Sequence, residues 1–199
     1  MESKRPHKKV VLITGMYRSG STFIFNAVRV LHLHSKKKVW GGGTGGFVGT
    51  TGHEADVYIV KEHRWHEALA RYGDVVITSQ RPIKQSWLSM NRFKEEDIPW
   101  PATREWVTWL HKWKNVSDYC MYWDDFADEE GPWNALKDIA HVLGLDHLNL
   151  VNVMKHLRSE LAPPKEGKNH ETLVFSNHYT SVDYEDIKQT FHIPERDLE

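Results

Sequence analysis

Apolar positions along the chain change period, and each change marks an element. Residues 10–14, Val10-Val11-Leu12-Ile13-Thr14, form a continuous, mostly β-branched run of the kind buried on both faces in a parallel sheet. The run breaks at Gly15 into a turn of small and polar residues. From Ser21 onward, Phe23, Ala27, Val30 and Leu31 fall at helical spacing, which predicts a helix. Apolar runs over 56–60 and 74–79 read as the second and third strands. A helix from about Ile83, carrying Trp87, Leu88 and Phe93, follows the third. Residues 102–116 place Trp106, Trp109, Leu110, Trp113 and Val116 on one stripe, which predicts an amphipathic helix facing the core. A fourth strand over 118–123 precedes a helix from Gly131 to Leu143, with Pro132 at its start and Gly144 as its left-handed stop. Another helix after Asp146 turns Leu150, Val151, Met154 and Leu157 to the core, and a short one over 183–191 closes the chain.

Two stretches show no period. Residues 40–52 hold seven glycines in thirteen positions. That entropy cost argues for a loop, either a connector or a lid carrying Phe47 with Trp40 at its flank. Pro163-Pro164-Lys165-Glu166-Gly167-Lys168 is a turn-rich loop. Strands that alternate with helices throughout define an α/β fold with a parallel sheet.

The 199 residues fit one domain spanning 1–199, with 1–9 as a basic, frayed arm. A formal net charge of −1 leaves no global field to draw the chain to nucleic acid or a membrane, so any anion site must be local. Thirteen His residues make the charge strongly pH-dependent below neutrality. The single cysteine, Cys120, excludes a disulfide within the chain and a Cys-rich metal site, and fits a reducing compartment. No run of about 18 apolar residues and no signal-peptide core are present, so a cytoplasmic location is expected. The oligomeric state is not legible.

The chemistry concentrates after the first strand. A strand, a Gly/Ser turn and a helix N-terminus aim backbone N–H groups and a positive dipole end at one point, which suits a phosphate or sulfate. The spacing Gly15-x4-Gly20-Ser21-Thr22 nearly spells a Walker A loop, but Ser21 stands where the phosphate-gripping Lys belongs, and the cation has moved to Arg18. Lys61-Glu62-His63 ends the second strand, and Arg81 ends the third with Ser89 eight residues on. Both are carboxyl ends, where open α/β sheets hold ligands. Asp124 follows the fourth strand, as a Walker B carboxylate would.

Arg18-Ser19-Gly20-Ser21-Thr22-Phe23 resembles the 5′-phosphosulfate loop of the sulfotransferases, with Arg for the more usual Lys. Lys61-Glu62-His63 is similar to the family's Lys-Thr-His, with Glu62 for Thr. Arg81 and Ser89 keep the spacing of the pair that grips the 3′-phosphate, with the Pro displaced to position 82. Asp124-Asp125-Phe126 is similar to the family's strand-end motif. The resemblance implies a single three-layer P-loop-type α/β domain, a central, mainly parallel sheet of four or five strands flanked by helices. It implies 3′-phosphoadenosine 5′-phosphosulfate (PAPS) as sulfuryl donor, a hydroxyl or amine of a small-molecule or carbohydrate acceptor, and no metal. His63 would be the general base, with Glu62 and His66 as rivals, while Lys61 and Arg18 steady the transferring group. The loop residues Ser19 to Thr22, with Arg81 and Ser89, would bind the donor, and Phe23 would pack near its adenine. Lys165, Gly167 and Lys168 would close over the 3′-phosphate, and Asn169, His170, Asn177 and His178 are polar enough to line a site. A P-loop kinase using Asp124, or a non-catalytic nucleotide-binding protein of the same fold, are the alternatives.

Overall fold

The central strand of the computed structural model is β1 (Lys9–Gly15), hydrogen-bonded in parallel to β3 (Val57–Lys61) on one side and β4 (Val75–Gln80) on the other. The structure describes residues 8–45, 54–176, 194 and 197. Beyond these neighbours lie the edge strands β2 (Val39–Gly43) and β5 (Tyr119–Tyr122), so the order is β2-β3-β1-β4-β5 with every pairing parallel. The strand order departs from β1 in both directions, and the carboxyl end of β1 is therefore the place a ligand is expected.

The period-2 pattern of β1 sorts its side chains to two layers. Val11 and Ile13 face α1 (Ser21–His34), α6 (Gly131–Leu143) and α7 (Leu150–Glu160), packing with Phe25, Leu136, Ile139, Met154 and Leu157. Leu12 faces the other side, where Val60, Val76, Leu69 of α2 (Glu67–Ala70) and Trp113 of α4 (Thr103–Lys114) close a smaller core. α3 (Ile83–Lys94) follows β4, and the short α5 (Trp123–Phe126) follows β5. A two-residue hairpin, β6 (Lys168–Asn169) with β7 (Val174–Phe175), ends the described fold apart from residues 194 and 197. The α/β expectation, a parallel sheet of four or five strands with helices on both faces, is met with five strands.

The Gly-rich stretch is the main correction. Its first part, Trp40 to Gly43, is the end of β2 and no loop, so the expected second, third and fourth strands are β3, β4 and β5. The glycines serve packing there. A Cβ on Gly41 would lie 2.7 Å from the Phe25 ring, so only Gly lets this edge strand sit tightly under α1. The arm expected over 1–9 ends earlier, since Lys9 opens β1. Residues 46–52 of the Gly-rich stretch with Phe47, residues 1–7 of the arm, Asn177, His178 and the helix expected over 183–191 all lie outside the described residues. Two boundaries also shift. α4 stops at Lys114, which leaves Val116 exposed while Trp106, Leu110 and Trp113 are buried, and Trp123 opens α5 instead of ending β5.

Candidate active site

The turn from β1 into α1 is held in a conformation that few residues tolerate. Gly15 has φ 106°, and a Cβ there would meet the Ser79 carbonyl at 2.1 Å, so only Gly fits. Arg18 is left-handed at φ 59°, and Gly20, at φ 89°, stands just before α1. Ser19 is fully buried. Its hydroxyl donates to the Met16 carbonyl and lies 2.6 Å from the Ser79 hydroxyl, while Ser86 donates to the Tyr17 carbonyl. These bonds tie the loop to β4 and α3. Ile24 N–H opens the α1 ladder on the Gly20 carbonyl, which leaves the N–H groups of Ser21 and Thr22 without intrahelical partners, and Gly20 at the N-cap has no side chain to cap them. The loop thus offers backbone donors and a helix dipole to an anion.

Four cations converge on the same point. Lys61, at the end of β3, donates from Nζ to Thr22 Oγ1 at 2.8 Å. Arg18 donates from Nε to Ser89 Oγ at 3.2 Å and lies over the Phe93 ring. Arg81 donates from Nη1 to the Arg18 carbonyl at 3.0 Å and lies 4.1 Å over the Trp123 ring. Lys168 comes from β6 and lies over Phe175. All four line one cavity of about 390 Å³, whose remaining walls are largely apolar and aromatic, and no Asp or Glu lines it among the described residues. Burial, helped by Arg18 and Lys168, lowers the Lys61 ammonium to about 7. Burial and the nearby Arg92 also pull Arg81 down against Asp124. Such a set of cations, lining a cavity with no carboxylate in its wall among the described residues, fits an anionic ligand with several charged groups.

His63 stands at the cavity with a defined tautomer. Its Nδ1 lies 3.0 Å from the Gly15 carbonyl, which can only accept, so Nδ1 carries the proton and Nε2 the lone pair. Burial and the adjacent Lys61 lower its pKa to about 4, so the ring is neutral at pH 7. Tyr17 packs between it and Trp106, with ring centroids at 4.4 and 5.1 Å. The Trp113 indole donates to the carbonyls of His63 and Arg64, fixing the backbone there. Glu62 is committed elsewhere: its Oε1 accepts from the N–H groups of His63 and Arg64, each at 2.9 Å. His66 is exposed, and neither it nor Glu62 lines the cavity.

Of the residues singled out from sequence, Arg18, Gly20, Ser21, Thr22, Phe23, Lys61, His63, Arg81 and Lys168 line the cavity. Phe23 is an inner wall, 4 % exposed and packed on Phe126. Ser19 and Ser89 do not line it. The first ties the loop to β4, and the second reaches the site only through Arg18. Asp124 is exposed on α5, and Lys165, Asn169 and His170 are exposed beyond the cavity. Tyr17, Trp123, Phe93, Leu173 and Phe175 line it without having been singled out as site residues; the sequence marked only Phe93, on a predicted helix, and Trp123, as the aromatic residue closing a predicted strand. No three His, Cys, Asp or Glu side chains among the described residues are grouped to hold a metal ion.

The five-stranded parallel sheet flanked by helices is the fold of a solved sulfotransferase. Among solved structures the chain is similar to mouse sulfotransferase SULT7A1 complexed with PAP, with a TM-score of 0.59 and 12 % sequence identity over 96 % of this chain and 80 % of that one. No family model and no curated protein matches the chain. No helix among the described residues is long and apolar enough to cross a membrane.

Proposed function

We propose that the protein transfers a sulfuryl group from PAPS to a hydroxyl or amine of a small-molecule or carbohydrate acceptor. The observation that carries this reading is the pairing of four cations in the wall of one aromatic cavity, which no Asp or Glu lines among the described residues, with a neutral histidine whose Nε2 is unprotonated. The cavity suits PAPS in chemistry: cations and helix N–H groups for its phosphates and sulfate, aromatic walls for its purine. The solved relative complexed with PAP has the same fold.

When bound, PAPS supplies an activated sulfuryl group on a phosphate leaving group. The chain supplies the rest. His63 accepts the acceptor's proton at Nε2 as the acceptor oxygen or nitrogen bonds to sulfur, and its Nδ1–H stays on the Gly15 carbonyl. Lys61, Arg18 and the N–H groups of Ser21 and Thr22 stabilise the charge that gathers as the sulfur–oxygen bond to the 5′-phosphate breaks. Arg81 holds the second phosphate, braced on the Arg18 carbonyl, and Ser89 keeps the Arg18 guanidinium in place.

Calorimetric titration with 3′-phosphoadenosine 5′-phosphate (PAP), against ATP with magnesium, tests the reading. Binding of PAP without metal, weakened in Arg81→Ala, supports it. Binding of ATP–magnesium alone would overturn it in favour of a kinase, and binding of neither would overturn it in favour of a protein without this nucleotide site.

A further inference from the structure

A buried amide ties the β6–β7 hairpin to the phosphate loop. Asn26 lies one turn into α1 and has no exposed surface. Its Nδ2 donates twice, to the Thr22 carbonyl at 3.0 Å and to the Thr172 carbonyl at 2.9 Å. Two carbonyls can be met only by the NH₂ group, so the amide orientation is fixed by its partners. Thr22 takes the Lys61 ammonium on its hydroxyl. Thr172, 1 % exposed, sits in the turn of the hairpin between Lys168 and Phe175, both of which line the cavity. A continuous path therefore runs from Lys61 through Thr22 and Asn26 to the hairpin. The Asn26 Oδ1 and the Thr172 hydroxyl are buried without a hydrogen-bond partner among the described residues. A buried amide that leaves its acceptor unmet while both donors reach backbone carbonyls is a costly choice for packing alone, since an apolar side chain would fill the same volume.

Resting on the proposed function above, we infer that Asn26 is a positioning residue that holds the hairpin's Lys168 and Phe175 against the sulfuryl-donor cavity. The hairpin's position is also felt at Lys61, because Lys168 is one of the charges acting on its ammonium.

A double-mutant cycle read by PAP affinity tests this, using the wild type, Asn26→Ala, Lys168→Ala and the double variant. Asn26→Ala is expected to weaken PAP binding about tenfold. The double variant is expected to bind no more weakly than the weaker single variant, because each substitution removes the same ammonium from the site. A residue that merely supported the fold would lower the melting temperature and add its effect independently. If Asn26→Ala does not fold, Asn26→Ser enters the same cycle. Unchanged affinity in the Asn26 variant, or full additivity with Lys168→Ala, overturns the inference while PAP binding by the wild type stands. Failure of the wild type to bind PAP overturns the proposed function itself, and this inference with it.

Discussion

Lys61 Nζ and Thr22 Oγ1 lie 2.8 Å apart, so the cation ending β3 touches the first turn of α1. With its ammonium lowered to about 7 by burial and by Arg18 and Lys168, Lys61 is mostly neutral at pH 8 in the free protein. An anion in the cavity reverses the local field and raises that value. PAP binding at pH 8 is therefore expected to take up close to one proton, measured from the dependence of the binding enthalpy on buffer ionisation enthalpy. Lys61→Met should abolish the uptake and reduce turnover by about 10²- to 10³-fold, as loss of a transition-state donor does. Uptake that persists in Lys61→Met would assign the proton to another group.

His63→Ala should lower turnover about 10²-fold or more while PAP affinity changes little, because the ring bonds to Gly15 and packs on Tyr17 rather than gripping phosphate. The acid limb of kcat/KM for the sulfuryl donor should fall near the pKa of about 4 held by His63 in the free protein, below the ordinary 6.5. A limb at 6.5 would place the base elsewhere.

Arg81 and Ser89 differ in how they reach the cavity. Arg81 lines it, whereas the Ser89 hydroxyl meets only the Arg18 side chain among the described contacts. Arg81→Ala should weaken PAP about tenfold to a hundredfold, and Ser89→Ala only a few-fold, by loosening Arg18. Equal losses, measured by calorimetry, would mean that Ser89 touches the ligand directly.

Acid should unfold this protein early. His63 and the buried His32, whose two ring nitrogens have no hydrogen-bond partner among the described residues, are both lowered to about 4, burial being the first cause in each. Between about 4 and 6.5 the unfolded chain binds protons that these two rings refuse in the folded state. Stability from both is thus complete above about 6.5, declines as pH falls through that window and changes no further below 4. Chemical denaturation from pH 7 to 4 should show the decline, and His32→Leu should make it shallower. A parallel decline in that variant would rule out His32 as a contributor.

The elements that carry the site were legible because period and position coincide in them. β1, the loop and α1 follow from a β-branched run, a break at Gly15 and helical spacing from Ser21, and Lys61, His63 and Arg81 stand at strand ends. What escaped did so for physical reasons. β2 hides in a glycine run because its value lies in closeness to Phe25, which no propensity records. Tyr17 lies inside the loop, where pattern reading weighs small and charged residues, although its ring packs on His63. The walls given by Leu173 and Phe175 depend on a hairpin of two-residue strands, too short to leave a period. Ser89 lies on the helix expected after the third predicted strand, but its contact with Arg18, which stands between it and the cavity, leaves no mark in the sequence.

Gly41 and Phe25 share one volume, with no space between them for a methyl group. Sequence drift at either position is consequently ordered. A side chain can enter at 41 only after residue 25 has become smaller, since the reverse order passes through a clash beneath a rigid helix. Gly41→Ala alone should lower the melting temperature, and Phe25→Leu in the same chain should restore part of the loss, so the two positions would vary together among descendants of this protein.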